Sequence, residues 1–469
     1  MLKRNQESEH SRKDRKHTGR FWRVTLWILT IPVTYVALFP VSLAGQSTPT
    51  PGGPDEGDGV GTSVQTPLRF AGESAPANQF SLGMGASSLY DDNVFQNNSD
   101  RVSDEAVSFS SNLNFSRQTE RLTLSFEFSP FFVLYRQTDQ LDRLNYIGNV
   151  SLTYRLSSRF TLGLDNTSSY QDGFYQSFNG PQMIVSGLAS PTALNLTIYP
   201  YTVRTLSSNS GLHLRFAKSW RTAFTISGGY SLQEFGNQRV AGQQLYNSRG
   251  VNGGLQYQYR VTEHTTFGLL MLHQDSTYTG GGAFGTNLRF QSESALVSVG
   301  SRLSPSVTVN FFGGPQYVRI IGASPAGAGT TEQILGAGGG SITKEVQKTA
   351  IDLSVQRTVT GGNGLYTLVK STTAGLGVRR RVVGRWEANL SVDFARADAS
   401  LFQLASGWTD ALIGGFGLNR PLTKNATLNI SYNAMHQMSY GNLPISANFD
   451  RNLVTIGINY QLKAISLGR

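Results

Sequence analysis

Four histidines, His213, His264, His273 and His436, are the side chains best suited to proton transfer or metal binding beyond the N-terminal segment. A zinc site needs imidazoles at paired spacings, so that two ligands share one face of an element, and none of the four has such a partner. Two local sets carry the residue types of a hydrolase: His436 with Ser439, and His273 with Asp275 and Ser276. Nearness in sequence is not triad geometry, which has to be shown in space. The glycine clusters Gly336 to Gly340 and Gly361 to Gly364 lack the lysine of a phosphate-binding loop and open no helix. Cysteine is absent from the chain, which excludes disulfides, thiolate metal sites and a lipid-anchored cysteine. The expectation is a protein that is not an enzyme and holds no metal or cofactor.

A different chemistry comes from polar side chains spaced two apart. Leu122, Leu124, Phe126 and Phe128 alternate with Thr123, Ser125, Glu127 and Ser129, and Trp386, Ala388, Leu390, Val392 and Phe394 alternate with Glu387, Asn389, Ser391 and Asp393. Period two means extended backbone with one oily and one wet face. The apolar rows, such as Val307/Val309/Phe311 and Val454/Ile456/Ile458/Tyr460, are expected to face outward. The wet face then includes Glu127, Asn149, Arg155, Asp165, Gln256, Gln258, Arg260, Asp352, Gln356, Glu387, Asp393 and Asn429 as candidate pore-lining residues, with Asn145, Asn310, Asn389 and Asn433 beside them. Amides, hydroxyls and scattered charges of both signs can exchange hydrogen bonds with hydrophilic solutes.

The elements that must carry these rows repeat from about Asn78 onward: strand, tight polar turn, strand, longer Gly/Asn/Ser-rich loop. Eight tight turns lie near Arg117–Glu120, Arg155–Ser158, Ala217–Trp220, Arg260–Glu263, Arg302–Pro305, Glu345–Gln347, Val382–Gly384 and Arg420–Thr423. The longer connections between them include Asp172–Pro200, long enough to fold inward as a constriction, and Gly322–Thr330. This grammar predicts an all-β fold, a single antiparallel transmembrane β-barrel of about 18 strands (16–18) with short periplasmic turns and longer extracellular loops. No run after Leu43 is apolar enough for a membrane helix, and charged residues are only 15% of the chain against roughly 25% in soluble domains. Such a barrel is too wide for its side chains to fill.

Eight basic residues between Lys3 and Arg23 precede the uncharged run Val24 to Ala44, which reads as a secretory signal over residues 1–44, with Ser42 and Ala44 before the cut. An uncleaved anchor is the rival reading, although Pro32 and Pro40 interrupt the run. Residues 45–77, rich in Pro, Gly and acidic side chains, are expected to be a disordered periplasmic leader, and residues 78–469 the barrel. Losing the signal lowers the formal charge from +10 to about +5, which weakens the case for a nucleic-acid partner. Basic residues also edge many of the tight turns. They either snorkel to headgroups or ring the periplasmic mouth and favour anions.

One motif stands outside the alternation: Tyr90, Asp91, Asp92 and Asn93, followed by Val94 and Phe95, at the end of the first strand. By composition it is a turn built from Asx residues. Together with the hairpin Ser116 to Leu122 it resembles the outer-membrane β-barrel porins associated with exopolysaccharide and exosortase loci. That resemblance implies a secretion or diffusion pore in the cell outer membrane, without bound cofactor. Outer-membrane lipids, the barrel-assembly machinery and polysaccharide or other hydrophilic solutes would be its partners. Such barrels commonly end on an aromatic residue, whereas here Tyr460 is followed by Gln461 to Arg469. Two other readings remain at this point: a surface barrel whose outer loops bind a partner without transport, and an anchored array of soluble β-sandwiches.

Overall fold

The computed structural model describes residues 78–176, 198–236, 239–240, 243–280, 288–324, 327–361, 368–398, 406–442 and 448–466. The wall begins with β1 (Gln79–Asp91), β2 (Asp104–Gln118), β3 (Leu122–Tyr135), β4 (Arg143–Arg155), β5 (Phe160–Gln176), β6 (Ile198–Ala217) and β7 (Thr222–Phe235). A separate two-residue hairpin follows, β8 (Arg239–Val240) with β9 (Gln243–Gln244). The wall resumes with β10 (Asn247–Arg260), β11 (Thr265–Thr279), β12 (Leu288–Ser304), β13 (Val307–Ser324), β14 (Gly327–Val346) and β15 (Thr349–Gly361). It continues through β16 (Leu368–Arg381), β17 (Glu387–Asp398), β18 (Ser406–Pro421), β19 (Ala426–Asn442) and β20 (Phe449–Gln461). The short β21 (Ile465–Ser466) runs beside the start of β1.

Every wall strand pairs antiparallel with its neighbours in sequence, β7 meets β10 across the small hairpin, and β20 returns to β1. The chain is therefore a closed barrel of eighteen strands. Following the registers once around returns to β1 about 22 residues from the starting point, a stagger that tilts the strands by about 40° and sets a backbone diameter of about 36 Å. Among the described residues no helix is long and apolar enough to cross a membrane; the crossing is made by strands. The long-loop end faces outward and the tight-turn end the periplasm, as in outer-membrane barrels generally.

Register decides which side chains share a face, because residues opposite one another in an antiparallel pair point the same way. Leu122, Leu124 and Phe126 pair with Tyr154, Leu152 and Val150, and these pass to Leu162, Leu164 and Asn166. The outer face carries exposed Phe224, Ile226, Leu255, Leu269, Val297, Phe311, Leu353, Leu390, Phe416 and Ile456, a nonpolar belt that water would not favour and lipid would. Stacked aromatic pairs mark both rims, Phe160/Phe216 at 4.7 Å on the turn side and Tyr146/Tyr170 at 5.0 Å and Trp408/Tyr440 at 5.3 Å on the loop side. A polar interruption lies on this face between β5 and β6. There Asn166 donates to Ser210 at 2.8 Å and Ser168 shares a hydrogen bond with Ser208 at 3.0 Å, so the four groups satisfy one another.

The eight expected hairpin turns are all present between paired strands. The expected loop Gly322–Thr330 is not a loop. β13 runs to Ser324 and β14 starts at Gly327, and their ladder continues unbroken through Gly322↔Gly329 to Ser324↔Gly327. Small residues read as turn formers here continue the ladder of a strand pair instead. The signal and leader segments, and most of the Asp172–Pro200 loop with its expected inward constriction, lie outside the described residues.

Candidate functional site: the lumen and its outer rim

The registers place all twelve candidate pore residues on the inner face. Glu127 stands between Asn114 and Asn149, Gln256 and Gln258 between β7 and β11, and Asp352, Gln356, Asp393 and Asn429 lie on the same side of their strands. Several acids are held by neighbours on the wall. Asn112 Nδ2 donates to Glu127 at 2.8 Å, Ser151 Oγ to Asp165 at 2.7 Å and Thr343 Oγ1 to Asp352 at 2.9 Å. His213 stands 3.6 Å from Asp165, directly over Gly163, where any Cβ would overlap its ring. Arg155 and Arg260 do not stand among these acids; they end their strands at the tight-turn mouth, where Arg215, Arg302, Arg379 and Arg381 also face inward. Arg117, Arg380 and Arg420 take the opposite parity and face outward, with Arg420 over the Trp386 ring at 5.3 Å. Mouth ring and snorkelling thus apply to different arginines.

The two sets with hydrolase residue types do not assemble. His436 is on the outer face, 2.5 Å from Asp450, whereas Ser439 faces inward beside Thr409. His273 and Asp275 face outward, with Glu293 and Arg289 as their partners, and Ser276 points the other way, where it is buried. Period two separates each serine from its histidine by the thickness of the wall.

The lumen is not polar throughout. Leu270, Leu296 and Ala337 form one buried cluster on the inner face with Leu272 and Phe312, and Tyr278, Phe290 and Val318 form another. This departs from the expected wet wall, and the cause is a second layer. Near its loop-side end β15 lies against the inner wall, with Val359 buried among Tyr278, Phe290 and Val318 and bonded through its backbone to Gln316. The sequence does carry a signal for this: in Phe267 to Leu272 both faces are apolar, which a lumen open to water would not require.

The Tyr90–Asn93 motif sits at the outer rim, on the seam where the first strand meets the last. Tyr90 faces outward and half exposed, while Asp91 and Asn93 are wholly buried. Asp91 accepts from Arg451 Nε at 3.0 Å and also pairs with its terminal nitrogen. Asp92 accepts from Asn452 through the backbone N–H at 2.6 Å and the side-chain amide at 2.7 Å. Asn93 donates from Nδ2 to the Asp450 carbonyl at 2.8 Å, and its own N–H bonds to Asp91 at 3.1 Å in an Asx turn. Three consecutive polar residues thus hold three consecutive residues of β20. Behind them Val94 packs with Leu89, Val133, Tyr135 and Leu141 as a cap over the inner rim.

No family model and no curated protein matches the chain. Among solved structures it is similar to the FrpB iron transporter from Neisseria meningitidis (F5-1 variant), with TM-score 0.41, 9% identity and 83% of each chain covered. It is also similar to Acinetobacter baumannii OccAB4, with TM-score 0.39, 11% identity and coverage of 83% of this chain and 99% of that one. A third similar structure is the outer membrane protein opdK from Pseudomonas aeruginosa, with TM-score 0.40, 12% identity and coverage of 82% and 99%. Likenesses this distant carry nothing about residues or solutes.

Proposed function

We propose that this chain is a passive outer-membrane channel for hydrophilic solutes, entered from the periplasm through an arginine-lined mouth. The observation that carries the reading is the closed ring of eighteen strands whose inner face keeps polar groups in contact with water: Thr167, Asn209, Asp352 and Asn389 point inward and remain exposed. A tube of that width leaves an aqueous path where loops do not fill it. The inward arginines at the mouth place positive charge where an anion would enter, and the acids farther up the wall are already engaged by amides and hydroxyls.

Export of a polysaccharide is the narrower form of this proposal. Sugar hydroxyls can exchange hydrogen bonds with the amide and hydroxyl wall. The inner aromatics Tyr135, Phe235, Phe290 and Phe449 are packed away from solvent, so a sugar would meet polar side chains here and not ring faces.

Purified barrel in planar bilayers should give discrete current steps, with anions favoured about threefold in a potassium chloride gradient. The triple variant R155Q/R215Q/R260Q should fold normally and lose most of that preference, read as a shift of reversal potential towards zero. No current under any condition would reject the channel, and an unchanged reversal potential would reject the role of the mouth. Current block by an added neutral oligosaccharide, graded with chain length, tests the polysaccharide form.

A further inference from the structure

The two ends of the barrel treat their basic residues differently. At the loop end Arg101, Arg136, Arg249, Arg289, Arg396 and Arg451 each lie within ion-pair distance of a carboxylate. At the tight-turn end Arg117, Arg159, Lys348, Arg380, Arg420 and Lys424 are exposed, and among the described residues none of them has a carboxylate that close. The acids of those turns are Glu120, Glu263, Glu345 and Glu387, and Glu387 is buried on the lumen side. Positive charge without a matching acid therefore collects at one rim.

The lipid-facing belt runs into the same turns. Beyond the ends of their strands Val261, Val382 and Leu422 extend the ladder, their N–H groups bonding to the carbonyls of Thr265, Trp386 and Ala426 at 2.9, 2.9 and 2.8 Å. Counted from inward Arg260 and Arg381 and from outward Arg420, period two turns all three side chains outward. All three are exposed, and Val383 beside them is 82% exposed. Apolar and basic side chains thus interleave at the level where a bilayer passes from hydrocarbon to headgroups.

On β16 to β18 the two kinds meet in one place. Arg380 on β16 stands opposite Ala388 on β17, Ala388 stands opposite Leu418 on β18, and Arg420 lies two residues nearer the turn. The two arginines face out on either side of β17, roughly 10 Å apart across the sheet, so both can reach a phosphate placed between them. Arg420 already leans over β17, with its guanidinium 5.3 Å from the centre of the Trp386 ring. Ala388 keeps the ground between the arginines low. Farther from the turn Leu390, Val392 and Phe416 are exposed on the same outward face, a strip of apolar surface that leads up the belt.

We propose that this face binds an anionic phospholipid of the periplasmic leaflet, its phosphate held between Arg380 and Arg420 and an acyl chain laid along Leu390, Val392 and Phe416. A glycerol headgroup adds no cation, whereas an ethanolamine headgroup would bring one to a place with no outward acid to receive it. The other cations of the rim favour the same leaflet at longer range. An acidic protein would match the charge, but the apolar strip continues the hydrocarbon belt, and that continuity selects a lipid. The site lies outside the bore and does not depend on whether the barrel conducts.

The test reconstitutes the full chain in vesicles of equal parts phosphatidylglycerol and phosphatidylethanolamine, extracts it in mild detergent, and identifies the retained lipid by native mass spectrometry. Phosphatidylglycerol should be enriched about fivefold over its share of the bilayer. R380Q/R420Q should keep heat-modifiable gel migration and lower that enrichment about threefold. Ala388→Trp, which fills the ground between the arginines and keeps both charges, should give the same loss. R136Q/R249Q, at the loop end where the cations are already paired, should change nothing. An excess of inorganic phosphate should leave the lipid in place, because the acyl chain contributes to its binding. Retention at the bulk ratio would overturn the proposal, as would enrichment that survives both site variants. Full displacement by inorganic phosphate would mean a site for small anions, and equal loss in R136Q/R249Q a response to overall charge; either result also rejects the lipid site.

Discussion

Asp91→Ala should lower the unfolding free energy of the barrel by about 3–5 kcal/mol, the largest effect expected of any single side chain described. Asp91 is wholly buried and paired with Arg451, whose side chain is itself only 14% exposed. Arg143 is within electrostatic reach of both. Removing the carboxylate leaves the positive charges of Arg451 and Arg143 without it in a site already out of bulk water, so what the variant loses is the compensation of buried charge and not merely a contact. The double variant D91L/R451M should recover much of the loss, because an apolar pair of similar volume has no desolvation to offset. Neighbouring Asp92→Asn, which keeps a hydrogen-bond acceptor towards Asn452, should cost about 1 kcal/mol. Urea titration of vesicle-reconstituted barrel, followed by tryptophan fluorescence, measures all three. A loss under about 1 kcal/mol for Asp91→Ala would mean that the seam is held by its backbone ladder alone.

A second large effect separates the two faces of one strand. Val392 and Ser391 are adjacent in β17, but Val392 points to lipid between Leu390 and Phe394, whereas Ser391 points inward between Gly377 and Gly415. Val392→Arg places a guanidinium near the middle of the belt and should cost about 2–4 kcal/mol. Ser391→Arg, beside two residues with no side chain, should have room to extend into the bore and change stability by no more than about 0.5 kcal/mol. Equal damage from both, measured in the same urea titration, would contradict the assignment of faces.

Much of this architecture was legible because period two is a strong signal when one face is lipid and the other water. Alternation in Leu122–Ser129 and Trp386–Phe394 gives the direction of every side chain in those strands, and the basic, polar tight turns mark where each hairpin reverses. The count of eighteen follows from the turns. The same reasoning mistook Gly322–Thr330 for a loop, since Gly, Ala and Ser signal a turn only when nothing pairs with them, and here each strand pairs with the other. The inward course of β15 at Val359 was not legible. Local pattern says that Val359 is apolar and in a strand, but its neighbours Tyr278, Phe290 and Val318 come from three other strands, and only register brings them together. The motif at Tyr90 read correctly as an Asx turn. Its bonds to Asp450, Arg451 and Asn452 join residues about 360 apart, a spacing at which sequence offers no pattern to read.

The meander has a kinetic corollary. With one exception, the seam where β1 meets β20 and β21, every pairing of the wall joins strands that follow each other along it, so each can form as soon as its two members exist. The exception must bring together the two extremities of the wall, and its loop-closure entropy exceeds that of a fifteen-residue hairpin by about 3 kcal/mol. Ring completion is therefore the pairing with the greatest entropic cost of closure. A polypeptide stalled before its final strand is a curved ribbon with two raw margins, the form that quality-control proteases would meet.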